Sequence, residues 1–174
     1  MKKEYFLLIV LSVFIFTGCG SKKIQQEGIV TNIEVEKKFN KKIKLIVDGG
    51  READVLGLPK VSNNILYEAV KGTIENSNLF SEVVENNEDY KLELFIVYIG
   101  QPVVGKVFKV NVEIAWVLKK DNNIIWKKSI LTSSEKSIDE IYNGFDRMVI
   151  TTQEATKNNI EKALKEISFL KNIE

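Results

Sequence analysis

The stretch Val107-Phe108-Lys109-Val110-Asn111-Val112-Glu113-Ile114-Ala115-Trp116-Val117-Leu118-Lys119-Lys120 alternates along its length. Phe108, Val110, Val112, Ile114, Trp116 and Leu118 fall on one side, with Lys109, Asn111, Glu113 and Lys119 on the other. A period of two marks a strand with one buried face. Asp121-Asn122-Asn123 follows, and Asn and Asp tolerate the positive φ that a tight hairpin turn demands. Ile124 to Thr132 is therefore predicted to return as an antiparallel strand. Upstream, Tyr90, Leu92, Leu94, Ile96 and Tyr98 share one face. From Phe95 onward both faces are apolar, which predicts that this end is covered on both sides. Three antiparallel strands in series thus form the centre of a sheet.

Working outward, Ile43 to Val47 reads as a further strand, closed by Asp48-Gly49-Gly50, where two glycines supply turn geometry. A helix is predicted from Ser62 to about Asn76, with Ile65, Leu66, Ala69, Val70 and Thr73 or Ile74 at helical spacing and Ser62 or Asn63 as its cap. Leu79, Phe80, Val83 and Val84 read as a short strand. Ile138 to about Leu170 follows the helical period, with Ser137 and Glu140 placed for a capping box. Gly144 and Thr151-Thr152 are points where this helix can bend. The expected fold class is α+β, a two-layer sandwich in which two helices cover one face of a mainly antiparallel sheet of four to five strands.

The chain starts with Lys2 and Lys3, an apolar run from Tyr5 to Phe16 broken only by Ser12, then Thr17-Gly18-Cys19. A basic start, a short apolar run and small residues before a cut describe a secretory signal peptide. The run is shorter than the roughly 20 residues that span a bilayer. The Thr17-Gly18-Cys19 ending resembles the lipobox of bacterial lipoproteins. That resemblance implies diacylglycerol on the Cys19 sulfur and cleavage just before it. The expected organisation is residues 1–18 as signal peptide, 19–42 as lipidated N-terminus and tether, and 43–174 as a single α+β domain. A flexible tether of that length would reach roughly 25 Å.

The chain carries 25 basic and 24 acidic residues. Lys2, Lys3 and Glu4 leave with the signal peptide, so the mature chain is formally neutral. That argues against nucleic acid as a partner, which needs a positive excess, and against a polybasic membrane patch. There is no histidine and only one cysteine. A Ser-His-Asp triad, a Cys-His pair and a histidine metal site cannot be built. HExxH, CxxC and P-loop patterns are missing, and no cofactor or metal is expected.

Several stretches together resemble a group of small, uncharacterised bacterial lipoproteins. They are Val47-Asp48-Gly49-Gly50, Val61-Ser62-Asn63 with Leu66 and Ala69-Val70, Leu79-Phe80, Tyr90-Lys91-Leu92, the loop Gln101-Pro102-Val103-Val104-Gly105, Arg147, Glu154-Ala155 and Asn159-Ile160. Some members of that group are labelled UDP-N-acetylglucosamine acyltransferase. The acyltransferase itself resembles a left-handed β-helix of hexapeptide repeats with a histidine base, and this chain has neither. More loosely, the layout is similar to auxiliary lipoproteins of lipid-transport ABC systems.

Candidate sites are few. Glu85, Glu88 and Asp89 cluster but lack EF-hand spacing, so a solvated loop is expected. Arg147 could hold an anion, or pair on the surface with Glu154 or Asp146. Trp116 and Trp126 could form an aromatic platform, with core and rim packing the commoner outcome. The loop Gln101, Pro102, Val103 and Val104 is the best candidate partner contact, since apolar residues at a loop tip can mark an interface. The expectation is a non-catalytic envelope protein, anchored to the membrane through Cys19, that binds or scaffolds another envelope component. The alternative is an accessory lipoprotein of a lipid or glycolipid transport system, which would need an apolar groove between sheet and helices. The resemblance to bacterial lipoproteins, in which Asp after the cysteine favours the inner membrane, implies for Gly20 the outer membrane facing the periplasm where the host has two membranes.

Overall fold

The computed structural model describes residues 23–54, 57–171 and 173. The signal-peptide segment, Cys19 and Gly20 lie outside them. Five strands form one sheet among the described residues, in the order β2-β1-β3-β4-β5. They are β1 (Phe39–Asp48), β2 (Phe80–Val83), β3 (Tyr90–Gly100), β4 (Val107–Lys120) and β5 (Asn123–Ser137). The helices are α1 (Asn63–Ser77) and α2 (Gly144–Ser168). The α+β class with two helices against one sheet is as expected. β3, β4 and β5 run antiparallel, while β1 joins parallel to both β2 and β3.

The alternating stretch behaves as its pattern demands. Phe108, Val110, Val112, Ile114, Trp116 and Leu118 are all buried. Asp121 and Asn122 make the turn with φ of 49° and 64°. α1 packs over β1 and β2, and α2 over β4 and β5. α1 is capped by Ser62, whose Oγ accepts from Ile65 N at 3.3 Å. It stops at Asn78, which takes the left-handed conformation. Gly49 has φ of 80°, and a Cβ on Gly50 would collide with the Asn63 backbone. Gly49 lets the chain turn after β1, and Gly50 lets it pass close against the first residue of α1, where Gly50 N donates to Asn63 Oδ1 at 2.6 Å.

Three boundaries differ from expectation. β1 begins at Phe39, because its ring packs on Phe80 at 5.4 Å and anchors the parallel pairing there. β5 runs on to Ser137 instead of stopping at Thr132, since β4 offers a full ladder up to Val107↔Ser137. The last helix starts at Gly144, not Ile138. Ser137 and Glu140 do bond reciprocally, Ser137 N to Glu140 Oε2 at 2.8 Å and Glu140 N to Ser137 Oγ at 3.3 Å. That box closes a single turn. The helix proper is capped by Asn143, whose Oδ1 accepts from Phe145 N and Asp146 N.

The largest departure is the expected tether. From Ile24 onward it is part of the domain. Ile24, Ile29, Thr31 and Ile33 are buried. A 3-10 turn at Gln26–Gly28 touches both helices. Thr31 N donates to Thr73 Oγ1 on α1, and Thr31 Oγ1 donates to Glu161 on α2. Glu36 N donates to Ser168 Oγ. The segment fills the groove between the helices. Its apolar residues follow no regular period because they answer to two helices and a turn, which is why the pattern alone reads as a linker.

Candidate functional site

Most of the charged and polar candidates are occupied by structural work, and Glu88 beside them is half-buried. The Glu85 carboxylate accepts from Tyr67 OH at 2.9 Å, and Asp89 Oδ2 accepts from Lys42 N at 2.7 Å. These bonds stitch the β2–β3 connection to its neighbours. Partial burial, then the bond to the Glu85 carboxylate, push the Tyr67 phenol up to about 12. No cluster of three or more potential metal ligands occurs among the described residues.

Arg147 is not a surface pair of Glu154. Glu154 bonds Ser134 Oγ at 2.7 Å and pairs with Lys136 at 3.4 Å. The Arg147 side chain is buried. Its guanidinium donates to the Ile141, Tyr142 and Gly105 carbonyls at 2.7, 3.3 and 3.2 Å and lies 4.2 Å from the centroid of the Phe108 ring. Carbonyl dipoles and the ring face both favour the cation. Arg147 therefore ties the β3–β4 loop to the segment that leads into α2, and is not open to an anionic ligand.

Trp116 is fully buried and Trp126 half-buried, which is core and rim packing. Trp116 Nε1 donates to Asn159 Oδ1 at 2.9 Å. Asn159 in turn donates to the Ile130 carbonyl at 2.7 Å.

The four-residue loop candidate divides in two. Gln101 Nε2 donates to the Pro59 carbonyl at 2.8 Å and to Thr152 Oγ1 at 2.9 Å. Gln101 and Pro102 are half-buried. They fix the base of the loop on α2 and on the segment before α1. Val103 and Val104 are 64% and 83% exposed, so they do not fold back onto the sheet. Beside them, through the Arg147 tie, stand exposed Tyr142 and Phe145.

A second surface was missed from sequence. The sheet face opposite the helices carries Ile46, Phe95, Val97, Tyr98 and Leu131, all exposed. The double-sided apolar run from Phe95 predicted a second cover, and among the described residues none is present. A bulge between Ile96 and Tyr98 turns Val97 and Tyr98 out together. Tyr98 then stands opposite Glu113, and Glu113 opposite Leu131. A cleft of about 490 Å³ adjoins this face, lined by Gly49, Arg51, Asp54, Lys60, Phe95 and Tyr98 among others. Lys60 is held there by the Ile99 carbonyl at 3.2 Å and Asp54 at 3.4 Å. The arrangement offers apolar contact and a few fixed polar groups. It offers no nucleophile with an adjacent base.

No protein-family model and no curated relative matches the sequence. Solved structures do match in fold. A Xanthomonas campestris protein of the DUF330 family is 10% identical, with 80% of this chain and 91% of that one covered and a TM-score of 0.63. A Chlamydia trachomatis hypothetical protein is 8% identical over 74% and 96% of the two chains, with a TM-score of 0.56. Uncharacterised lipoprotein B from Nitrosomonas europaea is 11% identical over 78% and 86%, with a TM-score of 0.52. The chain shares its fold with these three proteins, one of which is named a lipoprotein. None of these three is named as an enzyme.

Proposed function

We propose that the chain is a non-catalytic, lipid-anchored envelope protein. It holds another envelope protein against the bare face of its sheet, and works on the periplasmic side of the outer membrane in a host with two membranes. The observation that carries the binding role is the unpaired apolar face, where Phe95, Val97, Tyr98 and Leu131 stand about half exposed on a rigid sheet. Contiguous exposed apolar residues of this kind mark interaction surfaces. The anchor rests on Cys19 after Thr17-Gly18 and on the fold shared with lipoproteins. Diacylglycerol on Cys19 would supply two chains, enough for stable anchoring. The lipid-transport alternative needs a free apolar groove between sheet and helices, and that layer is packed with buried side chains such as Leu66, Ile74, Leu92, Trp116 and Ile160.

The test is crosslinking in intact cells followed by purification from membranes. Phe95→Glu with Tyr98→Glu should fold normally and lose the main crosslinked protein. A doubly substituted protein that keeps its crosslinks would remove the sheet face from consideration. Cys19→Ala should abolish lipid labelling and detergent partitioning, and persistent labelling would end the lipoprotein reading. Turnover of an acyl or sugar-nucleotide substrate by purified protein at an enzymatic rate would overturn the non-catalytic reading.

A further inference from the structure

Two features of the fold meet at one end of the molecule. The first is a group of exposed apolar tips. Val103 and Val104 come from the β3–β4 loop, and Tyr142 and Phe145 from the entry to α2. Tyr142 is 87% exposed. Both segments are rigidly based, since the single Arg147 guanidinium holds the Gly105, Ile141 and Tyr142 carbonyls and Ile138 N donates to the Lys106 carbonyl at 2.8 Å.

The second is the course of the N-terminal segment. The Gln25 carbonyl is held by Gln153, Thr31 by Glu161 and Glu36 by Ser168. Followed backward, the chain climbs α2 toward its N-terminal end, where the tips are. Gln153 neighbours Thr152, which binds Gln101 at the base of the Val103-Val104 loop. At about 1.5 Å per residue, Gln153 lies roughly 12 Å along α2 from Phe145. The six residues from Cys19 to Gln25 can span at most about 20 Å. A lipid on Cys19 therefore cannot let the domain stand far from the bilayer, and its reach from Gln25 covers the distance to the tips.

We propose that this end is the membrane-facing end, and that Val103, Val104, Tyr142 and Phe145 seat in the interfacial layer of the same leaflet that holds the lipid of Cys19. This rests on the lipid-anchor reading above. Aromatic and aliphatic side chains at a rigid tip suit the headgroup boundary, and their burial adds to that of the acyl chains. The flanking charges are mixed, with Lys106 and Lys136 against Asp139, Glu140 and Asp146. The contact is apolar in origin and keeps its strength at high salt. The bare sheet face is left open to the periplasm for a protein partner.

The experiment uses the full lipidated protein in vesicles of phosphatidylethanolamine and phosphatidylglycerol. With Cys19 alkylated, Val104→Cys, Tyr142→Cys and, at the far end, exposed Asn86→Cys each provide a thiol for an environment-sensitive fluorophore. The probes at 104 and 142 should shift to the blue and be quenched by nitroxide-bearing lipids, in low and high salt alike, while the probe at 86 is not. Protein that floats with the vesicles while all three probes stay unquenched keeps the anchor and overturns the seating. Protein that does not float overturns the anchor and the seating with it. Shielding at 104 that arises only when native envelope protein is added would assign the tips to a protein contact and also overturn the proposal.

Discussion

The indole Nε1 of Trp116 and the side-chain Oδ1 of Asn159 meet at 2.9 Å in the fully buried seam between β4 and α2. Asn159 Nδ2 also donates to the Ile130 carbonyl at 2.7 Å and to the Val112 carbonyl at 3.3 Å. One amide thus locks α2 onto two strands at a single register.

Removing either partner should be costly for different reasons. Trp116→Ala leaves a cavity and should lose about 3–5 kcal/mol. Asn159→Leu orphans the buried indole N–H and should lose about 1–3 kcal/mol. Chemical denaturation of both single variants and the double variant should show a coupling of about 0.5–3 kcal/mol. Strict additivity would mean that the bond contributes nothing to stability.

The N-terminal segment should be part of the cooperative unit. Ile29 is fully buried between the helices, whereas Glu27 is exposed. Ile29→Ala should cost about 2–5 kcal/mol, with Glu27→Ala close to neutral. If both variants unfold at the parent's denaturant midpoint, the segment is the loose linker that its sequence suggests.

Arg147→Lys should loosen the tip of the β3–β4 loop. A lysine is a point charge on a flexible stem and cannot reach three diverging carbonyls as the guanidinium fork does. Faster hydrogen exchange is expected at the Ile138 amide, which donates to the Lys106 carbonyl, with β4 beyond Val110 unchanged. Unaltered protection at Ile138 would show that the carbonyl bonds do not hold the loop.

Tyr67 should titrate late. Its phenol is raised to about 12 from the usual 10, first by burial and then by the Glu85 carboxylate. A group with a raised folded value contributes stability that is present below its unfolded pKa and is lost as pH climbs through the folded one. The contribution should therefore fade between about pH 10 and 12. Ultraviolet titration should show a late phenolate step that Tyr67→Phe removes. A Tyr67→Phe protein with the same late step would assign it to another tyrosine.

By itself, the sequence determined the α+β class, the hairpin turn at Asp121-Asn122-Asn123, a helix cap at Ser62 or Asn63 and the alternating core of β4. Each rests on contacts between residues near in sequence, or on one face meeting one partner layer, so periodicity records it. Only the tertiary structure decided the rest. The helix groove takes Ile24, Ile29 and Ile33 at intervals set by two helices at once, and no single period encodes that. Arg147 is buried because carbonyls from two separate segments converge on it, whereas its neighbours along α2 suggested a surface pair. Ser137 and Glu140 form their capping box, yet it closes only a single turn, and α2 starts at Gly144, where Asn143 Oδ1 accepts from Phe145 N and Asp146 N. The apolar residues from Phe95 to Tyr98 are conspicuous in the sequence. Whether a second layer covered them depended on where the helices packed, and both packed on the other face.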